Sequence, residues 1–427
     1  MIIHLSKDAT PQDIQEVIAR IHAAGLKFEN LHPTTGTTLI GVLGDTSGVE
    51  ESYFLELGGV DKVIRISRPY KLVSREFSGE SKVISAGNVR IGGDELVLMA
   101  GPCALENAQQ IETIARYITE QKIPVMRGGA YKPRTSPYAF QGMGVEGLRL
   151  LAQMRKKFGL KIVTEATGLH RHMRPDGSRE EKTVLENVIE YADIIQVGAR
   201  NMKAYGFLQE LAILTKDNKK PILLKRGESS TIKDFLLAAE YLVANGNPNV
   251  ILCLRGIRTF EEEKFQRYTA DIGAIPVLKK ESNLPVIFDP SHATGYKANV
   301  YWLSMAAVAA GADGLIIETH NDPAHALCDG EQCVTKEQLE KIKEDAEKIR
   351  GMRALALSQN SPENCMNHSH AKTPRRSRRW NILRKAWTLR TSGWCCLMFT
   401  ALLSITGSRN SKMKRAGRTS CMRRLKN

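Results

Sequence analysis

Cys103, His292, Glu318 and Asp329 offer one thiolate, one imidazole and two carboxylates. A mixed S/N/O set of this kind suits a borderline divalent metal (Mn, Fe, Co or Zn) better than Mg or Ca. Four protein donors can leave a coordination position for a carbonyl oxygen or a water, as Lewis-acid catalysis requires. A second group is cationic: Arg127, Lys132, Arg134, Arg200, Lys225 and Arg255. Guanidinium groups grip phosphate and carboxylate through paired hydrogen bonds, and an ammonium adds a point charge. So many cations imply a substrate load of several negative charges, as two phosphorylated or carboxylated metabolites would bring. No organic cofactor is expected. Taken singly, each residue has a plain alternative, Cys103 as a small core residue and His292 as a helix cap. Cys328 and Cys333 flank Asp329, but without a second CxxC-type pair they read as loop residues.

The residues gain weight from where they stand. Apolar, β-rich runs occur at 96–100, 124–126, 161–164, 194–197, 221–224, 250–254, 285–288 and 314–317, with helical stretches between them. Just after these runs come, in order, Cys103, Arg127, Glu165, Arg200, Lys225, Arg255, His292 and Glu318. Eight strand–helix repeats over about 250 residues predict an α/β fold, a (β/α)8 TIM barrel, whose strand ends converge on one face. Ahead of it, residues 1–75 predict a small ferredoxin-like α+β domain. Thr10-Pro11-Gln12-Asp13 opens a helix that Gly25 ends, strands are expected near 1–5, 28–31, 38–43 and 63–66, and a second helix at about 49–57. A linking stretch covers about 68–85, the barrel domain is 76–351, and 170–182 is a polar insertion without an assigned role.

The net charge of +15 is a property of one end. Residues 352–427 hold 17 of the 61 Lys and Arg but one of the 46 acids, leaving 44 and 45 before them. This basic tail also carries three of the four Trp and four of the eight Cys. Segments such as Pro374-Arg375-Arg376-Ser377-Arg378-Arg379 are too charged to pack, so the tail is expected not to fold. A tether to nucleic acid or to an anionic membrane is the functional alternative; translation out of frame is the plainer one. The body is neutral and lacks the interleaved aromatics of a nucleic-acid groove. No apolar run reaches the ~20 residues that span a bilayer. Without a secretory pattern at Met1, a disulfide framework is not expected, and the reading is a cytoplasmic protein that binds neither nucleic acid nor membrane.

Several strings point to one family. They are Ala100-Gly101-Pro102-Cys103, Arg127-Gly128-Gly129-Ala130-Tyr131-Lys132-Pro133-Arg134-Thr135-Ser136, Gly198-Ala199-Arg200-Asn201, Leu224-Lys225-Arg226-Gly227, Arg255-Gly256-Ile257-Arg258-Thr259 and Asp289-Pro290-Ser291-His292-Ala293-Thr294-Gly295. Over residues 1–351 the sequence resembles the 3-deoxy-D-arabino-heptulosonate 7-phosphate (DAHP) synthases, in the type I beta subgroup with a ferredoxin-like front domain. The resemblance implies a transferase that joins phosphoenolpyruvate, erythrose 4-phosphate and water, releases phosphate, and opens the shikimate route to aromatic amino acids. It implies Cys103, His292, Glu318 and Asp329 as metal ligands. Arg127, Lys132, Arg200, Lys225 and Arg255 would hold phosphoenolpyruvate, and Lys132, Pro133, Arg134 and Thr135 would receive erythrose 4-phosphate. Glu165 and His292 join the substrate-binding set, and Cys103, Lys132 and His292 are the expected catalytic residues. It further implies a homo-oligomer, a tetramer, with Tyr or Phe as a feedback effector on the front domain.

Leu254 stands where many relatives carry an acid beside Arg255, so that Arg is expected to lack a partner. The nearest alternative is the synthase that uses arabinose 5-phosphate, which typically has Lys-Ala-Asn-Arg in place of Lys132-Pro133-Arg134-Thr135. A non-catalytic amino-acid sensor is the alternative of another class, and intact metal and anion sets speak against it.

Overall fold

A computed structural model describes residues 1–31, 38–65, 69–78, 80–134, 136, 138–174, 176–260 and 264–359. Thr135 and the basic tail from residue 360 on lie outside the described residues, while residues 352–359, expected not to fold, instead form the end of helix Lys336–Gln359. Strands β1 (Ile2–Leu5), β2 (Lys27–Leu31), β3 (Leu39–Leu43) and β4 (Val60–Ile64) form an antiparallel sheet in the order β2-β3-β1-β4. This is the ferredoxin-like arrangement. Helix Pro11–Ala23 starts as the sequence dictates: Asp13 N donates to Thr10 Oγ1 at 3.2 Å, and Thr10 N donates to Asp13 Oδ2 at 2.7 Å. Its buried Val17 and Ile21 pack with Ile3, Leu5, Ile40 and Val42 of the sheet. The second helix, Ser52–Leu55, is shorter than expected, and β4 starts earlier. Gly59 lies between them with φ +73°, a turn that ends the helical run.

The expected linking stretch is instead built into the body. Tyr70, Leu72, Val73 and Phe77 are buried, which takes their backbone out of water and obliges it to find partners. The Glu240 carboxylate accepts from Lys71 N and Leu72 N at 3.0 Å each and from Val73 N at 3.1 Å. Ser282 Oγ donates to Val73 O and Asn283 Nδ2 to Leu72 O. A hairpin follows, β5 (Ile84–Ala86) and β6 (Val89–Ile91).

The strands β7 (Val97–Gly101), β8 (Val125–Arg127), β9 (Lys161–Ala166), β10 (Ile194–Val197), β11 (Ile222–Lys225), β12 (Val250–Leu254), β13 (Val286–Phe288) and β14 (Gly314–Glu318) close a parallel barrel in chain order. Both faces of each strand are covered, so the strands read as unbroken apolar runs. In β7, Val97 and Met99 belong to the interior cluster, while Leu98 and Ala100 belong to the cluster that includes the surrounding helices. Ile84, Ala86, Val89 and Ile91 of the hairpin join Val97, Val125, Val163, Ile194, Leu223, Ile251, Ile287 and Ile316 in the interior. Burying each such side chain contributes about 1.5–3 kcal/mol. At the far end of β7, a Cβ on Gly101 would lie 1.9 Å from the Arg127 carbonyl oxygen, so only glycine lets β7 and β8 meet there. No helix among the described residues is long and apolar enough to cross a membrane.

Candidate active site

Strand order decides which chemistry gathers where. Cys103 follows β7, His292 lies in the short helix Pro290–Thr294 after β13, and Glu318 ends β14; these three strands are consecutive neighbours in the barrel. Asp329 comes from the loop after β14, at φ +52°, a left-handed conformation that Asp tolerates better than most residues. The donor atoms of Cys103, His292, Glu318 and Asp329 all lie within 4.8 Å of one another. Cys103 Sγ is 3.1 Å from Asp329 Oδ2, and His292 Nε2 is 3.4 Å from Glu318 Oε1. Their separation and their S/N/O chemistry fit a borderline divalent ion.

The donors are held from behind. His292 Nδ1 lies 2.7 Å from Asp289 Oδ2, which leaves Nε2 facing the other donors. Asp289 also accepts from Lys225 Nζ and, through Oδ1, from His292 N at 2.9 Å. Glu318 Oε1 accepts from Arg127 Nη1 at 2.7 Å and Oε2 from Gln332 Nε2 at 2.5 Å. Burial lowers the pKa of His292, in the direction of the neutral imidazole that a metal ligand must be. Burial works against the Glu318 and Asp329 carboxylates, yet His292 and Arg127 for the first, and Cys103, His292 and Arg267 for the second, hold both below their ordinary values. The hydrogen bond with Cys328, then burial, push the Cys103 thiol well up, so binding a cation as thiolate must release a proton.

The cations come from the next sector of the barrel. Arg127 ends β8, Arg200 follows β10, Lys225 ends β11 and Arg255 follows β12. With Lys132, Pro133, Arg134, Glu165, His292 and Asp329, all but Arg127 of these line one cavity of about 400 Å³. Arg127 is not among the lining residues; its Nη1 donates to Glu318 Oε1 at 2.7 Å and to Pro102 O at 2.8 Å. Lys132 bridges the two sectors: its Nζ lies 2.9 Å from Cys103 O and 3.0 Å from Cys103 Sγ. Burial disfavours its ammonium, but the neighbouring Cys103 and Cys328 outweigh that and raise its pKa. Arg134 donates to Cys328 Sγ at 3.1 Å and to Leu327 O at 3.2 Å, and Arg200 donates to Pro133 O at 3.0 Å. Glu165 Oε2 accepts from Gln196 Nε2.

The positions differ from the sequence reading in four ways. Several side chains placed after their strands are instead in them: Arg127, Lys225 and Glu318 are last residues, and Glu165 lies within β9. Cys328, read as an ordinary loop residue, is buried with its Sγ 3.0 Å from Cys103 Sγ. Arg255 does not lack a partner, because Glu228 Oε2 lies 3.6 Å from its Nη1 and the Tyr268 ring lies 4.3 Å beneath its guanidinium. The sequence reading does not select Arg267, and it names Asp289 only within a family string, without a role. Arg267 is 3.5 Å from Asp329 Oδ1, and no local pattern marks it; Asp289, followed by Pro290 and then His292, carries an N-cap signature that does.

The comparisons with known proteins agree with this geometry. Residues 75–353 match the model of the DAHP synthetase I family, and residues 1–68 match that of the DAHP synthase ferredoxin-like domain. A phospho-2-dehydro-3-deoxyheptonate aldolase of Thermotoga maritima is 43% identical over 351 residues, 82% of this chain and 97% of that protein. A 2-dehydro-3-deoxyphosphooctonate aldolase of Geotalea uraniireducens is 30% identical over 60% of this chain and 94% of its own length. The crystal structure of a Thermotoga maritima DAHP synthase superposes with a TM-score of 0.59 at 41% identity, covering 84% of this chain and 97% of the other. On these matches and this site, the chain belongs to the DAHP synthetase I family, with the ferredoxin-like domain in front.

Proposed function

We propose that the chain condenses phosphoenolpyruvate with erythrose 4-phosphate and water to DAHP and phosphate, the entry step to aromatic amino acid biosynthesis. The observation that carries this is one cavity lined both by His292 and Asp329 of the four-donor cluster and by a sector of cations. Arg200, Lys225 and Arg255 hold the phosphate and carboxylate of phosphoenolpyruvate from the β10–β12 side, together with Arg127. Pro133 and Arg134, with Thr135, receive erythrose 4-phosphate. A divalent cation held by Cys103, His292, Glu318 and Asp329 supplies Lewis-acid polarisation of the aldehyde.

Fixing both anions brings carbon 3 of phosphoenolpyruvate onto the aldehyde carbon, the positioning effect that converts a bimolecular encounter into a local one. Lys132, whose ammonium lies against the donor cluster, is placed to give a proton to the oxygen that becomes an alkoxide. Water then adds at carbon 2, and the C–O bond to phosphate breaks. Glu165 and Glu228 are the cavity's carboxylates outside the donor cluster, and one of them takes that water's proton. The candidate metals are Mn, Fe, Co and Zn, which suit this mixed S/N/O donor set better than Mg or Ca.

Residues 1–75 serve as the regulatory domain of a cytoplasmic homo-oligomer, a tetramer, and bind Tyr or Phe; 76–351 are the catalytic domain and 352–427 an added basic tail. Phosphate release measured with erythrose 4-phosphate and with arabinose 5-phosphate tests the main reading. Turnover with the four-carbon sugar alone is expected; preference for the five-carbon sugar, or none with either, would overturn it. Titrating Tyr, Phe and Trp against the whole chain and against one lacking residues 1–75 tests the regulatory assignment, since inhibition must vanish with the domain.

A further inference from the structure

The polar excursion after β9 contains a buried carboxylate that the reaction scheme leaves unused. Glu180 is 3% exposed. Among the described residues no ion pair holds it; hydrogen-bond donors from three separate elements do. Its Oε2 accepts from Tyr131 Oη at 2.7 Å and from Asn187 Nδ2 at 2.9 Å. Its Oε1 accepts from Val145 N at 2.8 Å, the first residue of helix Val145–Phe158. That helix has Gly144 at its N-cap position with no side-chain cap of its own, so Glu180 supplies the missing acceptor across space. Gly144 is required twice over: φ is +61°, and a Cβ there would lie 2.5 Å from Glu180 Oε1.

What Glu180 grips is the root of the segment that lines the cavity. Tyr131 immediately precedes Lys132, whose Nζ reaches Cys103 Sγ, and Pro133 and Arg134 follow. Asn187 braces the same hydroxyl, with Nδ2 3.2 Å from Tyr131 Oη. The excursion is itself folded back to present the carboxylate: Met173 pairs with Arg179, and Glu180 N donates to His172 O at 2.9 Å.

We infer that Glu180 is a positioning residue for the aldose phosphate: it fixes the Tyr131–Arg134 segment against the donor cluster. The inference rests on the proposed assignment of Pro133 and Arg134 to erythrose 4-phosphate. Glu180→Gln keeps shape and volume but exchanges one acceptor oxygen for an NH2, which must then face Val145 N–H or the Tyr131 and Asn187 donors. One donor is left opposed, and the segment must shift to relieve it. Because misplacement on the order of 1 Å at a reacting centre costs roughly 10- to 100-fold in rate, kcat/KM for erythrose 4-phosphate should fall by that range.

Steady-state kinetics on the full chain, varying each substrate at saturating levels of the other, decide the matter. In E180Q the KM for erythrose 4-phosphate should rise at least fivefold and by clearly more than that for phosphoenolpyruvate, since Lys225 and Arg255 lie outside the segment and Arg200 touches it only through Pro133 O. Tyr131→Phe, which deletes only the hydroxyl, should move the same KM in the same direction by less, and it decides the question if E180Q does not fold. A residue that merely stabilises the fold would lower the active fraction and leave both KM values alone. Unchanged KM values in both variants, or equal rises for the two substrates, would overturn the inference. Failure of the wild-type protein to use erythrose 4-phosphate would instead overturn the assignment beneath it.

Discussion

Asp289→Asn should damage the metal site without touching a ligand. Asp289 serves three donors with two oxygens: Lys225 Nζ and His292 Nδ1 on Oδ2, and His292 N on Oδ1. Asparagine retains one oxygen, enough for the backbone cap or for the side-chain donors but not for both. The cap oxygen is the easier to keep, because Asn is as good an N-cap as Asp. The NH2 then faces Lys225 and His292, and the imidazole loses the acceptor that fixes its tautomer and ring plane. Losing such an outer partner typically costs 10- to 100-fold in metal affinity, about 1.4–2.7 kcal/mol. Lys225, 4% exposed, also loses its counter-charge, and breaking a buried pair on one side costs about 3–5 kcal/mol of stability. The assay is competition for Mn or Zn against a chromogenic chelator, with urea unfolding run in parallel. Lys225→Met is the control, because it leaves Asp289 on His292: metal affinity should change less than threefold while the KM for phosphoenolpyruvate rises sharply. Metal affinity in D289N equal to that of the wild type, or an equal loss in K225M, would refute the reasoning.

Three further outcomes are expected. Cys103→Ser removes the soft donor and should weaken Zn or Mn binding sharply, while chelator-treated wild-type protein should lose activity and regain it on adding Mn; full activity in excess chelator would contradict the metal assignment. The backbone bond from Thr10 to Asp13, and from Thr183 to Glu186, holds each carboxyl below its usual value. The unfolded chain therefore binds more protons there, so this stability is present above about pH 4 and is lost as pH falls through the depressed values. Urea midpoints between pH 3 and 7 should show a shallower acid limb in an Asp13→Asn, Glu186→Gln double variant, which removes the titrating groups, and an unchanged limb would rule the caps out. Finally, a chain cut after Gln359, the end of the last barrel helix, should keep wild-type kcat and gain solubility as the Trp, Cys and basic residues beyond it are removed; loss of activity would assign the tail a part in catalysis.

The architecture was legible in the sequence where burial imposes a period. The apolar runs marked all eight barrel strands to within one or two residues because both faces of such strands must be apolar. The capping box at Thr10 was legible because both of its partners sit three residues apart. The β5–β6 hairpin was missed for a related reason. Three-residue strands show no period, and their apolar residues face a barrel floor formed by residues far away in the chain. The Tyr70–Phe77 stretch looked like a linker because what satisfies its backbone, Glu240, lies about 170 residues on.

The same division explains which site residues could be found. A residue at or just after the end of a strand is carried to one face of the barrel, and this position singled out Cys103, His292 and Glu318 of the candidate donor cluster and Arg200, Lys225 and Arg255 of the cations that line the cavity. The groups that make those residues competent are defined by register. Arg127 meets Glu318 across 191 positions, Cys328 meets Cys103 across 225, and Lys225 meets Asp289 across 64. No local pattern encodes such meetings; the order of the strands does. Because β13, β14 and β7 are consecutive, their donors fall together, and because β8 and β10 to β12 follow around the barrel, the cations form a second sector. Lys132 lies on the seam, with β7's cysteine on one side and the cavity on the other. On the proposed assignment, an aldehyde drawn to the donor cluster and an enol phosphate drawn to the cations meet beside Lys132, whose ammonium is placed to protonate the new alkoxide. The fold does not merely collect the reactive groups: it sets the donor cluster and the cations in adjacent sectors of one barrel end.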